Sequence, residues 1–254
     1  MFENLMKIKN WKLKIILIAP LFFLLSNQAD AATTISKSLS RPVNNVGLVG
    51  WWTFDGPQML TNVADTSGQG NNGSLIHAGS GTTTAPGRVG QALSFDGTDD
   101  YVKTAPINLS STNKVSVSFW LLWPAFAGDD DLALEFTNSA TAGAQTGGFF
   151  VDPNDSAAAL VVYLKGDIGQ NYAAYTRPTA NAWHHYVAIY DKSQSTNEVE
   201  LYIDGSYQTP TGRVTNDNTN NFANDNFYLM SRGGTTLFGN GKLDLLGDIS
   251  RYLN

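Results

Sequence analysis

The stretch Gly90-Gln-Ala-Leu-Ser-Phe-Asp-Gly-Thr-Asp-Asp-Tyr-Val102 decides how this chain is read. Leu93 and Phe95 alternate with Ala92, Ser94 and Asp96, the period of two that lays one side of a strand on a core. Asp96-Gly97 then ends the run. Glycine takes the positive φ of a tight turn, and the aspartate carboxylate folds back onto its own backbone. The same ending closes Trp52-Thr-Phe-Asp55-Gly56 and Tyr202-Ile-Asp204-Gly205. Asp96 and Asp204 are therefore expected to turn strands, and a recurring carboxylate does not by itself announce chemistry.

Outward from this stretch the texture persists. Val115, Val117, Phe119 and Leu121 alternate with Ser116, Ser118 and Trp120, and the segments 160–164 and 199–203 repeat the pattern. Further strands are expected over 48–55, 91–96, 100–104, 132–137, 148–152, 183–190, 226–231 and 242–246. Turn residues separate each pair, and no helical stripe exceeds two turns. Many short strands of this kind predict an all-β fold, a two-sheet antiparallel β-sandwich or jelly roll. No repeat of 20–50 residues and no second composition regime divides it.

The first residues read differently. Lys7, Lys9, Lys12 and Lys14 precede an apolar run over 15–25, and Ala29-Asp30-Ala31 supplies a small-x-small site. This order predicts a signal peptide over 1–31 and an exported protein, extracellular or periplasmic. The run is too short for a bilayer, which takes about 20 apolar residues. Residues 32–45 are a Ser/Thr/Asn-rich linker, and the β-domain occupies 46–254. The full chain carries −6 and residues 1–31 carry +2, so the mature protein carries −8. Such a charge repels phosphate backbones and anionic membranes, and argues against nucleic acid as a partner. The chain has no cysteine, which excludes disulfides, thiolate metal sites and cysteine nucleophiles.

Seven segments stand in a definite order: Gly47-Leu-Val-Gly-Trp-Trp-Thr-Phe-Asp-Gly56, Asp65-Thr-Ser-Gly-Gln-Gly-Asn-Asn-Gly73, Gly87-Arg-Val-Gly-Gln-Ala-Leu-Ser-Phe-Asp-Gly97, Val115-Ser-Val-Ser-Phe-Trp120, Trp183-His-His-Tyr-Val-Ala188, Val199-Glu-Leu-Tyr-Ile-Asp-Gly205 and Gly241-Lys-Leu-Asp244. Together they resemble the laminin-G-like, concanavalin A-like lectin/glucanase family over essentially 47–254. The resemblance implies the concanavalin A-like sandwich. It departs at the last strand, where Leu245-Leu-Gly-Asp248 follows the aspartate in place of the family's second acid and longer aromatic run.

That fold hosts hydrolases, lyases and lectins alike, so function has to come from side chains. A retaining glycosidase needs two carboxyl groups about 5–5.5 Å apart, and hydrolases of the fold carry Glu-x-Asp-x-x-Glu, a string absent here. Glu198 and Glu200 are the nearest match, yet their alternation is that of an ordinary strand with polar residues outward. Asp131 and Glu135, after Asp129-Asp130, read as a solvated loop entering a strand. His185 shares its strand face with Trp183, Val187 and Ile189 and reads as a packed core histidine. Tyr163-Leu-Lys-Gly-Asp-Ile-Gly-Gln170 resembles an alginate-lyase strand without that family's arginine-rich and Gln-x-His partners. No Gly-x-Ser-x-Gly elbow occurs. No residue is assigned a catalytic role.

Binding is the better match to the composition. Trp51 and Trp52, being adjacent, face opposite sides of a strand, so only one is core. Trp123, Tyr172 and Tyr175 sit in loop-rich segments and are the candidate ligand-binding residues, for a glycan or glycoprotein. The loop 65–73 offers side-chain oxygens between glycines, as calcium requires. The resemblance brings the first-strand Asp55 and the closing Asp244 beside that loop, which implies a structural Ca2+ on Asp55, Asp65, Asn71 and Asp244. A plain Asn/Gly turn is the alternative. The expected function is a secreted, non-catalytic carbohydrate-binding or adhesion module. A hydrolase or lyase on the same fold, or a purely structural surface protein, is the alternative.

Overall fold

The computed structural model describes residues 47–56, 61–76, 82–124, 131–138, 146–155 and 159–250. The expected signal peptide and linker lie outside them. No helix occurs among the described residues. The strands, in chain order, are β1 Trp51–Trp52, β2 Asn62–Val63, β3 Gly73–Ile76, β4 Thr83–Pro86, β5 Gln91–Asp96 and β6 Tyr101–Thr104. They continue with β7 Ile107–Asn108, β8 Lys114–Leu122, β9 Leu134–Thr137, β10 Phe149–Asp155, β11 Ala159–Lys165 and β12 Gln170–Tyr175. The last six are β13 Trp183–Asp191, β14 Val199–Ile203, β15 Ser206–Tyr207, β16 Gly212–Val214, β17 Asn224–Leu229 and β18 Asn240–Ser250.

They form two antiparallel sheets. One runs β15-β14-β13-β8-β18-β5-β4, with β1 pairing β18. The other runs β16-β12-β11-β10-β9-β17-β6-β3-β2, with β7 pairing β17. The expected β-sandwich is present. Its core lies between the sheets, where Val115, Val117, Phe119 and Leu121 of β8 meet Phe136, Phe149 and Phe227 of the opposite sheet. Phe149 is the hub, with ring centroids 4.4 Å from Tyr190 and 5.1 Å from Phe136. Burial of each such ring contributes about 1.5–3 kcal/mol.

The Asp-Gly endings behave as their chemistry requires. Asp96 Oδ1 accepts the Thr98 N–H at 2.9 Å, and Gly97 takes φ 82°. Asp204 and Gly205 take φ 51° and 79°. The departure in the last strand is structural too. Asp244 pairs Trp120 and Gly247 pairs Ser118, so three steps on β18 match two on β8, and a second shift follows before Ser250. These are β-bulges, each adding one residue to the strand. The expected strand over 48–55 shrinks to two residues. β12, expected as loop, is a strand, because Tyr172 and Ala174 are outward partners to core residues Ala173 and Tyr175.

Candidate functional site

In the ten-stranded sheet, Leu134, Phe136, Phe149, Val151, Leu160, Val162, Leu164, Ala173 and Tyr175 all belong to the core. Period two sends the residues between them to the outer face. Strand register then lines these up across the sheet. Tyr228 pairs Glu135, Glu135 pairs Phe150, Phe150 pairs Tyr163, and Tyr163 pairs Tyr172. One row thus carries four aromatic rings from four strands, interrupted by a single carboxylate. The neighbouring row is small, with Asp152 opposite Val161, Val161 opposite Ala174, and Ala174 opposite Gly212. A tall row beside a low one makes a trough. It is an open cleft of about 460 Å3 whose lining includes Phe150, Tyr163, Gln170, Tyr172, Arg213 and Arg232.

The trough is ordered by its own contacts. Phe150 and Tyr163 stack at 4.5 Å between centroids, 8° from parallel. The Tyr163 hydroxyl donates to Gln170 Oε1 at 3.1 Å. Arg232 lies over the Phe150 ring at 5.3 Å, with Nε 3.8 Å from Glu135 Oε1. Glu135 is 1% exposed. Burial pushes its carboxyl up to about 7, against the opposing pull of Arg232 and of a hydrogen bond from the Gly233 backbone. At the other end, Arg213 Nη1 donates to Asn197 Oδ1 at 2.6 Å. Asp152 Oδ1 accepts the Asn154 N–H at 2.8 Å. Phe150, 7% exposed, is sandwiched between Tyr163 and Arg232, so the aromatic surface open to a ligand is that of the half-buried Tyr163 and Tyr172, flanked by guanidinium and amide donors that suit a sugar's hydroxyls.

Of the three residues expected to bind ligand, Tyr172 lines this trough. Trp123 and Tyr175 do not, being 3% and 1% exposed in the core. Parity explains both. Trp123 continues the inward series of Leu121, and Tyr175 lies an odd number of residues from Tyr172. Glu135, expected as part of a solvated segment, is instead buried at the trough.

The calcium residues are engaged at two places. Asp65 Oδ1 accepts the N–H groups of Trp51 and Ser67 at 2.9 and 2.8 Å. Its Oδ2 accepts the Ser67 hydroxyl and the Asn71 N–H at 2.8 and 2.9 Å. The Asn71 amide donates to Val49 O at 2.7 Å. Asp55 and Asp244 instead hold the turn over 87–91, accepting the N–H groups of Gln91 at 2.8 Å and Val89 at 2.9 Å. A Cβ on Gly87 would lie 2.5 Å from Asp244 Oδ2, so only glycine lets the turn sit on that carboxylate. This donor set does not fit a calcium ion, because the central acid already takes four protein donors. Among the described residues, the three carboxylates with oxygens within 4.8 Å of one another are those of Asp96, Asp99 and Asp100.

The remaining candidates have structural partners. Glu198 is not on an open outer face. It is 1% exposed and accepts the Asn218 N–H at 2.6 Å and the Asn218 side-chain amide at 3.0 Å. Nearby Lys192 is 2% exposed, and its ammonium donates to Asn220 Oδ1 at 3.1 Å and Asn221 O at 3.2 Å. Burial pulls that amine down to about 8. His185 is half-buried on the outer face of the eight-stranded sheet rather than in the core, hydrogen-bonded to Ser118 Oγ at 2.8 Å. Asp204 binds the other histidine, His184, through Nδ1 at 2.7 Å, and reaches His185 only at its backbone N–H. Serine, histidine and aspartate therefore do not form a relay.

Residues 96–250 match the laminin G family model described as "Concanavalin A-like lectin/glucanases superfamily". The chain belongs to this superfamily. None of the curated proteins compared with the chain is a match. Among solved structures, this superfamily member is similar to the Trypanosoma rangeli sialidase in complex with the inhibitor DANA, with TM-score 0.56 and 13% identity over 86% of this chain and 33% of that one. It is also similar to the botulinum neurotoxin serotype D binding domain, with TM-score 0.54 and 12% identity over 83% of this chain and 50% of that one. At these identities the likeness is one of fold. The chain spans between a third and a half of the length of these structures.

Proposed function

We propose that this chain is an exported, non-catalytic carbohydrate-binding or adhesion module whose ligand lies on the outer face of the ten-stranded sheet. The observation that carries the reading is the row Phe150-Tyr163-Tyr172, built by register from three strands. Adjacent strands are about 4.8 Å apart, close to the width of one pyranose ring, so Tyr163 and Tyr172 are spaced for neighbouring sugars, with Phe150 packed behind Tyr163. Gln170, Arg213 and Arg232 flank the row with donors. The superfamily description names lectins beside glucanases, and the similar neurotoxin structure is a binding domain, which supports a binding role on this scaffold. Export rests on the basic and apolar segments within residues 7–31.

The test is binding of a panel of soluble oligosaccharides by calorimetry, with Tyr163→Ala and Tyr172→Ala. Loss of one stacking platform is expected to weaken binding by about tenfold or more, from the 0.5–1.5 kcal/mol of a ring contact together with its buried area. Binding unchanged in both variants refutes the site.

One observation favours a hydrolase. Glu135 has the raised carboxyl of a general acid, to about 7, and Asp152, its diagonal neighbour in the β9–β10 register, is a second acid on the same face, the pairing an inverting enzyme requires. Against it, Glu135 lies beneath Arg232 and does not line the cleft. Reducing-sugar release that disappears in Glu135→Gln establishes the hydrolase and refutes the binding module.

A further inference from the structure

The Arg232–Glu135 pair is incomplete on both sides. Its 3.8 Å separation is longer than a hydrogen bond. Arg232 Nε and Glu135 Oε2 are buried without a hydrogen-bond partner among the described residues. Arg232 is nevertheless part of the cleft lining, and 16% of its side chain is exposed. A guanidinium presents planar, paired N–H donors that fit a carboxylate in a bidentate fork. Its guanidinium carbon lies over the Phe150 ring, 5.3 Å from the centroid, so the charge is held at the cleft wall before a ligand arrives.

Resting on the glycan-binding reading, we propose that the cleft takes a carboxylate-bearing sugar on Arg232, and that Glu135 is the internal counter-ion with which the ligand competes, so that binding tightens on acidification. A protonated Glu135 leaves the guanidinium to the ligand. An ionised Glu135 claims Arg232 from beneath and repels the incoming anion. Burial places that change at a pH of about 7, whereas sugar acids ionise far below it and stay charged throughout. The other groups facing Glu135 leave the direction intact. From β10 come Phe150 and Asp152, the latter accepting the Asn154 N–H. From β17 comes Tyr228, whose ring lies under Lys103 of β6 at 5.4 Å. From β11 comes Tyr163, whose hydroxyl burial moves still further above neutrality.

The test compares tetragalacturonate and sialyllactose, each with its methyl ester, by calorimetry at pH 5.5, 7 and 8.5. The two pairs distinguish an acid within a chain from a terminal one. In each pair the neutral sugar has nearly the shape of the acid. At least one acid is expected to bind more tightly than its neutral partner at pH 5.5 and to weaken about tenfold by pH 8.5. Glu135→Gln is expected to flatten that dependence to under twofold while keeping the preference for the acid, and Arg232→Gln to abolish the preference. Should Glu135→Gln fail to fold, the pH profile of the native protein and of Arg232→Gln carries the test. Equal binding of acid and neutral sugar at every pH overturns this inference alone. A preference that does not change with pH overturns the role of Glu135. No binding by any of the four sugars overturns both this inference and the glycan-binding reading.

Discussion

Replacing Asp65 by alanine separates two accounts of the aspartates. The carboxylate accepts three backbone N–H groups, from Trp51, Ser67 and Asn71, together with the Ser67 hydroxyl. Alanine leaves all three amides without their acceptor in a loop where Ser67 is 2% exposed. Leaving a buried donor unmet costs about 1–3 kcal/mol. Three partly buried donors, some regaining water, give about 3–4 kcal/mol. For a domain of about 200 residues each kcal/mol moves the midpoint by about 2–4 °C, so a fall near 10 °C is expected. The assay is thermal unfolding of native protein and variant in EDTA and in millimolar calcium. If hydrogen bonds are what the carboxylate supplies, the fall is the same in both media. A difference between native and variant that appears only with calcium, and closes in EDTA, refutes the reasoning and places a cation at Asp65.

Two further outcomes concern pH. Glu135 has its folded carboxyl raised from 4.5 to about 7, so its contribution to stability is whole below about 4.5 and lost as pH rises to 7. Stability of Glu135→Gln relative to the native protein is expected to rise across that window by about 3 kcal/mol at most, read from urea midpoints. Parallel curves would mean that the carboxyl is not held in its neutral form. Lys192 has its folded amine lowered from 10.5 to about 8. The unfolded chain therefore binds more protons between those values, and native stability gains up to about 3 kcal/mol from this group as pH rises through them. Lys192→Met is expected to lack that gain, and equal slopes in the two proteins from pH 8 to 10 would show that the ammonium is solvated.

The sandwich was legible because its signal is local. Alternation in 115–121 and the Asp96-Gly97 and Asp204-Gly205 endings are written within a few residues, and β8, β14 and their turns follow them. Parity alone would also have assigned Trp123 to the core and set Tyr172 and Tyr175 on opposite faces, had β12 been read as a strand. The trough was not legible. Glu135, Phe150, Tyr163 and Tyr172 become neighbours only through the register of β9, β10, β11 and β12, and no stretch of sequence contains that register. Seen singly, each is an outward residue on an ordinary strand. Asp65 is ambiguous in sequence for a related reason. A loop of oxygens and glycines suits a cation or its own backbone N–H groups equally, and the choice depends on how the chain closes around the carboxylate.

The placement of β18 has a consequence for when the molecule is able to fold. This strand, Asn240–Ser250, runs through the interior of the eight-stranded sheet, between β8 and β5. It also pairs β1, joining Trp51 to Gly247 across nearly the whole domain. During synthesis the sheet therefore exists as two unjoined pieces, β4-β5 and β8-β13-β14-β15, each with an open edge, until residues 240–247 have been made. Pairings of such sequence separation are slow to form. The eight-stranded sheet is therefore completed only once β18 has been made, and until then the edges of β5 and β8 are open to mispairing.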